Sequence, residues 1–346
     1  MSETEPGDVA LEPPALAAVE AAAARIAGIA ERTPTLRLDP EDADPGLDVW
    51  LKLETLQPIG SFKLRGAANA LATARPEELA AGVVTASAGN MAQGVAWCAR
   101  RYGVPCRVIA PDHAPRVKLD AIERLGGTVT LVPFDRWWRT LEERRYPGIE
   151  GRFVHPVADP AVLAGNATIA LEILADVPEV DTILVPFGGG GLACGIAAAA
   201  KARRPDVQVL ACEVETAAPF TAALTARRPV AVTYQPSFVD GIGSRRVLDE
   251  IWPLARRLLD GSVVVTLRQV REAIRHLVER RRVIAEGAGA ASVAAALAGD
   301  TGRFGRTVCV VSGGNLDPAV LAGILAATEP GRVDEGGVAT DPGAHS

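Results

Sequence analysis

Four short segments of this chain place reactive or ligand-holding residue types at telling positions. The first is GSFKLRGA, residues 60–67. The chain has only four lysines, Lys52, Lys63, Lys118 and Lys201, so a lysine inside a well-formed motif stands out. Ser61 is a good helix N-cap and is expected to open a helix over 61–74, with Lys63 in its first turn. A cation is disfavoured at a helix N-terminus, and Phe62 and Leu64 leave Lys63 poorly solvated. Both effects favour the neutral amine that Schiff-base chemistry needs. The plain alternative is a solvated lysine at a helix start.

The second segment is PFGGGGLACG, residues 186–195. A buried strand ends at Phe187, four glycines follow, and an alanine-rich helix begins. Such a loop lets successive N–H groups converge on an anion, a phosphate above all. No Gly-Lys-Ser/Thr ends it, so it is not the nucleoside-triphosphatase type. It does fit the loose dinucleotide pattern at Gly188, Gly190 and Ala193, with Glu213 and Glu215 about 20 to 25 residues on, where a ribose-binding acid sits in such folds. An NAD-dependent dehydrogenase is therefore a rival reading. The third segment, TASAGNMAQG (85–94), is a strand-to-helix turn whose exposed N–H groups suit a carboxylate, or a routine Asn90 cap. The fourth, VVSGGN (310–315), ends a buried strand at the edge where open α/β sheets bind ligands. There Ser312 can face a ring nitrogen, or simply cap the last helix.

These segments sit on a regular frame. Near-continuous apolar runs at 49–53, 82–87, 106–110, 128–132, 181–187, 207–214, 262–266 and 306–312 read as strands. Amphipathic helices are expected between them at 90–102, 116–125, 162–174, 192–203 and 267–281. Strands buried on both faces and separated by helices make an α/β protein with doubly wound parallel sheets. The stretch 133–160, with Trp137–Trp138 and an Arg/Glu-rich run, reads as a domain edge or flexible connection. Trp137 and Trp138 either shape a substrate pocket or pack at the surface. The polar Gly/Pro-rich tail after 328 is expected to be disordered.

Composition removes several classes. Of 346 residues, 48% are hydrophobic and 23% charged, normal globular usage. Lys plus Arg is 36 against 42 for Asp plus Glu, a net charge of -6, which speaks against nucleic-acid and anionic-membrane partners. Five scattered cysteines without a CxxC read as buried, reduced thiols, and four dispersed histidines lack zinc spacing. The acidic N-terminus has no signal-peptide character, so a cytoplasmic location is expected.

In combination and in this order, SFKLRGA, TASAGNMAQG, GGGGL and SGGN resemble the fold-type II pyridoxal-phosphate enzymes, within them the threonine/serine dehydratases and serine racemases. DPAVLAGNATIALEIL (159–174) and EGAGAAS (286–292) extend the likeness to nearly the whole chain, 16–327. Leu64 follows the lysine where cysteine and threonine synthases usually carry Asp, which favours the dehydratase branch.

The resemblance implies pyridoxal 5′-phosphate in a cleft between two domains. Residues 1–75 and 155–328 would form the larger, 76–154 a smaller mobile one, and 329–346 the disordered tail. It implies that Lys63 forms the Schiff base beside Phe62, that Asn90 contacts the ring's 3′-oxygen, and that Gly188, Gly189, Gly190, Gly191 and Leu192 hold the phosphate. Ser312 would face the pyridine nitrogen, and Ser87, Ala88, Gly89 and Asn90 would receive the substrate carboxylate. The implied enzyme is an ammonia-lyase that eliminates the β-hydroxyl of L-threonine or L-serine, working as a homodimer or homotetramer. Serine racemase, or a lyase for 3-hydroxyaspartate or phenylserine, is the alternative; a cofactor-binding regulatory relic would not keep Lys63, Asn90 and Ser312 intact. Ala88 stands where racemases carry a second, proton-donating serine. A divalent cation could use Glu213 and the Ala217 carbonyl, but the remaining acid position reads Pro219, so no metal is expected.

Overall fold

The computed structural model describes residues 11–38, 48–298 and 304–327; the tail expected to be disordered lies outside them. Ten strands follow in chain order: β1 (Thr35–Arg37), β2 (Val49–Leu53), β3 (Val83–Ala86), β4 (Cys106–Pro111), β5 (Gly127–Val132), β6 (Arg152–Phe153), β7 (Thr182–Pro186), β8 (Gln208–Val214), β9 (Gly261–Val265) and β10 (Thr307–Val311). They form a six-stranded sheet, β1-β2-β10-β7-β8-β9, and a four-stranded sheet, β5-β4-β3-β6. All neighbours are parallel except β1, which runs antiparallel to β2.

Side chains alternate across a strand, and this explains why the apolar runs are continuous. Ile183 and Val185 of β7 and Val308 and Val310 of β10 pack on one face, with helices Pro160–Asp176 and Gly191–Arg203. Leu184, Cys309 and Val311 pack on the other, with helices Leu267–His276 and Gly287–Leu297. All five cysteines are buried free thiols, and burial raises each of them. Among the described residues no helix is long and apolar enough to cross a membrane.

The stretch 133–160 is not a flexible connection. It folds into helix Phe134–Glu143 and then β6, which pairs with β3 as Val83↔Arg152 and Val84↔Phe153. Trp137 and Trp138 pack with Tyr146, Ile149 and Phe153 beside Val84, Ile109 and Leu141, so their place is under the four-stranded sheet. The expected helix 267–281 is also interrupted. Its α-helical part ends at His276, Leu277–Arg281 widens into a π turn, and Arg282 closes it at φ 59°.

Candidate active site

The four chemistry-bearing segments meet at the carboxyl ends of parallel strands, where open α/β sheets leave a crevice. Two of them are stitched together by backbone hydrogen bonds. Phe62 N donates to Ser312 O at 3.0 Å, and Gly314 N donates to Gly60 O at 2.9 Å. A one-pair bridge, Ser61↔Gly313, lies between. Ser61 is therefore shared between the helix start and the strand end. The helix runs Lys63–Ala72 with Phe62 at the N-cap position; one residue earlier, Ser61 Oγ accepts from Lys63 N at 3.4 Å and donates to Ser312 O at 3.4 Å.

Lys63 remains in the first turn, and Nζ donates to the carbonyl of Pro156 at 2.8 Å. Burial pushes its amine down to about 8 against the opposing charge of Glu286. The other three lysines are ion-paired, with Glu172, Asp240 and Asp260. The amine's carbonyl partner lies in a tight turn made by His155, whose Nδ1 accepts from Val157 N at 3.1 Å and Ala158 N at 2.7 Å. Burial, with Arg144 and Lys63 adding to it, drives His155 down to about 3. The imidazole is thus neutral, with its proton on Nε2.

The same turn forms the floor of the glycine loop. A Cβ on Gly189 would fall 2.4 Å from Val157 Cγ2, and Gly190 adopts φ +90° as the cap of helix Gly191–Arg203. Bare backbone is therefore required, and its N–H groups open a helix N-terminus, a natural seat for a phosphate. On the facing sheet, Gly89 caps helix Asn90–Tyr102, and Ser87 Oγ accepts from Gly89 N at 3.2 Å. Residues Ser87, Ala88, Gly89 and Asn90 are all half-buried at this second helix start. Ser312 is buried at the end of β10. The final helix is capped by Asp317, so that role does not account for Ser312.

Glu286 belongs to this site although no role followed for it from the EGAGAAS segment. It stands at the N-cap position of helix Gly287–Leu297 without a side-chain cap bond, accepts from Asn90 Nδ2 at 2.8 Å, and acts on Lys63 through its charge. Burial raises its carboxyl to about 7; Lys118 opposes this and Asp240 adds to it. An acidic residue inside an Ala/Gly run was the only signal in the sequence.

A carboxyl raised by folding binds its proton more tightly in the native state. Its contribution is full below the unfolded value, near 4.5, and is lost as pH rises through about 7. The loss is about 3 kcal/mol over that window. Glu286→Gln is expected to escape it, so the variant should gain on the wild type between pH 5 and pH 8. Urea unfolding of both proteins in the same cofactor state checks this. An equal stability difference at the two pH values would show that the carboxyl is not raised.

The dehydrogenase rival loses its ribose acid. Glu213 is buried and accepts from Phe220 N at 2.7 Å, Thr221 N at 2.8 Å, Thr221 Oγ1 at 2.6 Å and Ser262 Oγ at 2.9 Å. Glu215 accepts from Leu267 N. Both acids hold helix starts. Among the described residues no group of three His, Cys, Asp or Glu side chains could hold a metal.

Pyridoxal 5′-phosphate needs an unprotonated amine for its aldehyde, an anion seat for its phosphate and a hydrogen-bonding side chain for its ring nitrogen. The desolvated Lys63, the backbone loop over Val157 and the buried Ser312 fit those needs. Residues 26–313 match the family described as pyridoxal-phosphate dependent enzyme. The chain is 39% identical over 283 residues to an L-threonine ammonia-lyase of Thermotoga maritima, covering 81% of this chain and 70% of that one. It is 34% identical over 311 residues to a serine racemase of Oryza sativa subsp. indica, covering 88% and 91%. Among solved structures, maize serine racemase superposes with a TM-score of 0.82 at 31% identity, over 90% of this chain and 97% of that one. Because the family match spans residues 26–313, most of the chain, the chain belongs to the pyridoxal-phosphate dependent enzymes.

Proposed function

We propose that this enzyme is a threonine/serine ammonia-lyase, removing the β-hydroxyl of L-threonine or L-serine to give 2-oxobutanoate or pyruvate and ammonia. The observation that carries the reading is a lysine amine lowered to about 8 by burial and held on the Pro156 carbonyl, next to Val157 under the glycine loop. The bound cofactor supplies an aldehyde for amine exchange and an electron sink for the Cα–H bond. Lys63 would hold it, Gly188–Leu192 would seat its phosphate, Asn90 would meet its 3′-oxygen and Ser312 its ring nitrogen.

The chain's own residues then divide the work. The N–H groups around Ser87–Asn90 receive the substrate carboxylate, aided by the helix dipole. The Lys63 amine, once displaced by the substrate's, takes the Cα proton; an amine near 8 is suited to do so at neutral pH. Neutral β-substituents are favoured. Lys118 is paired with Asp240 at 2.5 Å and Arg144 with Glu250 at 2.7 Å, while Glu286 acts on the amine through its charge. The second carboxylate of 3-hydroxyaspartate would find both of these cations already paired, and Glu286, raised to about 7, would repel it increasingly above that pH. The same two pairs join the four-stranded unit to the loop 240–250, so movement of 76–154 as a body would require breaking them. The enzyme fits a cytoplasmic homodimer or homotetramer, its free buried thiols suiting a reducing compartment.

Assays of 2-oxo acid formation test the proposal. L-threonine and L-serine should both turn over and 3-hydroxyaspartate should not; no 2-oxo acid from either of the first two would end it. The relatives named serine racemase raise the alternative reaction. Ala88 has no hydroxyl to deliver a proton to the opposite face of Cα. L-serine is therefore expected to yield pyruvate without D-serine, and Ala88→Ser to raise the D-serine to pyruvate ratio. Chiral chromatography decides it: D-serine formed by the wild type at a rate comparable with pyruvate refutes the expectation.

A further inference from the structure

We infer that Asn315 is a positioning residue that fixes the hydrogen-bond polarity of Asn90, so that Asn90 offers the cleft an N–H donor and not its carbonyl. The inference rests on the proposed placing of the cofactor beside Asn90 and adds a residue to which no role has yet been given.

Asn90 ends a chain of hydrogen bonds that starts at a group unable to reverse, the Ile59 carbonyl. Asn315 Nδ2 donates to the backbone carbonyl of Ile59 at 2.8 Å. A carbonyl only accepts, so the amide nitrogen of Asn315 must face it. The second hydrogen on that nitrogen is directed at Asn90 Oδ1, also at 2.8 Å. Asn90 is thereby forced to turn its oxygen toward Asn315 and its nitrogen toward Glu286 Oε1, 2.8 Å away. With one hydrogen on Glu286, Asn90 Nδ2 has a single N–H left. An anionic ring oxygen takes such a donor and would be repelled by the carbonyl of a flipped amide.

Packing holds the array in place. A Cβ on Gly60 would lie 2.8 Å from Asn315 Oδ1, and one on Gly313 would lie 2.5 Å from Glu286 Oε1 and 3.2 Å from Asn90 Nδ2. Side chains at either glycine would push the amides apart. The array also spans the molecule, since Asn315 follows β10 of the large sheet and Asn90 follows β3 of the small one.

The test uses the holoenzyme and a readout other than turnover: the pH midpoint of the bound cofactor's visible absorbance, with its dissociation constant from fluorescence titration. Losing the donor makes the ring oxygen more basic, which strengthens its hold on the neighbouring proton. Asn90→Ala and Asn315→Ala should each move the midpoint up, by about one pH unit for one hydrogen bond. If Asn315 acts through Asn90, the double variant should shift no further than Asn90→Ala alone. Asn315→Leu keeps the volume beside Gly60 and adds no charge but cannot donate; it should shift the midpoint the same way, and it replaces Asn315→Ala if the truncated protein does not fold. A midpoint unmoved by the Asn315 variants, or a double variant whose shifts add, overturns the inference while leaving the cofactor's placing intact. A midpoint unmoved by Asn90→Ala overturns that placing and the inference together.

Discussion

Lys63→Ala is expected to abolish turnover, by at least about 10⁴-fold, while leaving a folded protein. Two functions go at once: covalent attachment of the cofactor and proton removal from Cα, the second alone worth about 10²–10⁴-fold. The fold should survive because Nζ makes one hydrogen bond, to the carbonyl of Pro156. Burial lowers the amine from 10.5 to about 8. The cofactor-free native state therefore carries a cost for a charged lysine at pH 7, full below about 8 and gone above the unfolded value. Alanine removes that cost, so unfolding of the cofactor-free variant at pH 7 should need no less denaturant. The visible band at about 410–420 nm, characteristic of a protonated Schiff base, should vanish. Borohydride reduction of the wild type followed by peptide mass spectrometry should find the cofactor on Lys63. Lys52, Lys118 and Lys201 are each bound to a carboxylate, and recovery of the cofactor on any of them would overturn the site.

The frame around that lysine could be read in the sequence because its signals are local. Strands such as TILVP and TVCVV are buried at every position, and a residue run apolar on both faces has few other folds open to it. Helix Asn90–Tyr102 falls where expected at both ends, with Gly103 in the left-handed conformation stopping it. Elements without a local signal escaped. β6 is two half-buried residues amid Arg, Glu, Pro and Gly, and only its alignment beside β3 makes it a strand. β1 is three residues at the sheet edge. The same division holds at the site. Glycine loops and a lysine at a helix start announce themselves over a few residues. Glu286 and Asn315 act by meeting Asn90 across 196 and 225 residues, and His155 acts through a turn that only its own imidazole closes.

The motif SFKLRGA holds a further lesson of that kind in Arg65, whose replacement by Met is expected to cost about 3–5 kcal/mol. Arg65 is buried two residues beyond Lys63 on the same helix. Its guanidinium forks onto Glu54, with Nε to Oε2 and Nη2 to Oε1 both at 2.8 Å, and onto Glu172 at 2.6 and 2.9 Å. Thr33 Oγ1 and Gln57 Nε2 complete the shell of Glu54, and Lys52 Nζ donates to Glu172 at 2.6 Å. The helices cross in backbone contact here, since a Cβ on Gly165 would lie 2.4 Å from Arg65 O. The cluster thus fixes where the Lys63 helix begins relative to helix Pro160–Asp176.

Burial by itself would raise the Glu54 carboxyl; the charge of Arg65 and its hydrogen bonds outweigh this and hold it below the usual carboxylate range. Arg65→Met leaves Glu54 buried without that cation, and the sign of its pH dependence follows. In the wild type a depressed carboxyl contributes stability above its unfolded value and loses it as pH falls. In the variant the unpaired carboxyl is raised instead, so acid relieves its cost. The gap between the two proteins should be full at pH 7 and shrink toward pH 4.5. Guanidinium unfolding at both pH values measures it; a gap below about 1 kcal/mol at pH 7, or one that does not narrow in acid, would mean that Arg65 and Glu54 are not the linked buried pair that seats Lys63.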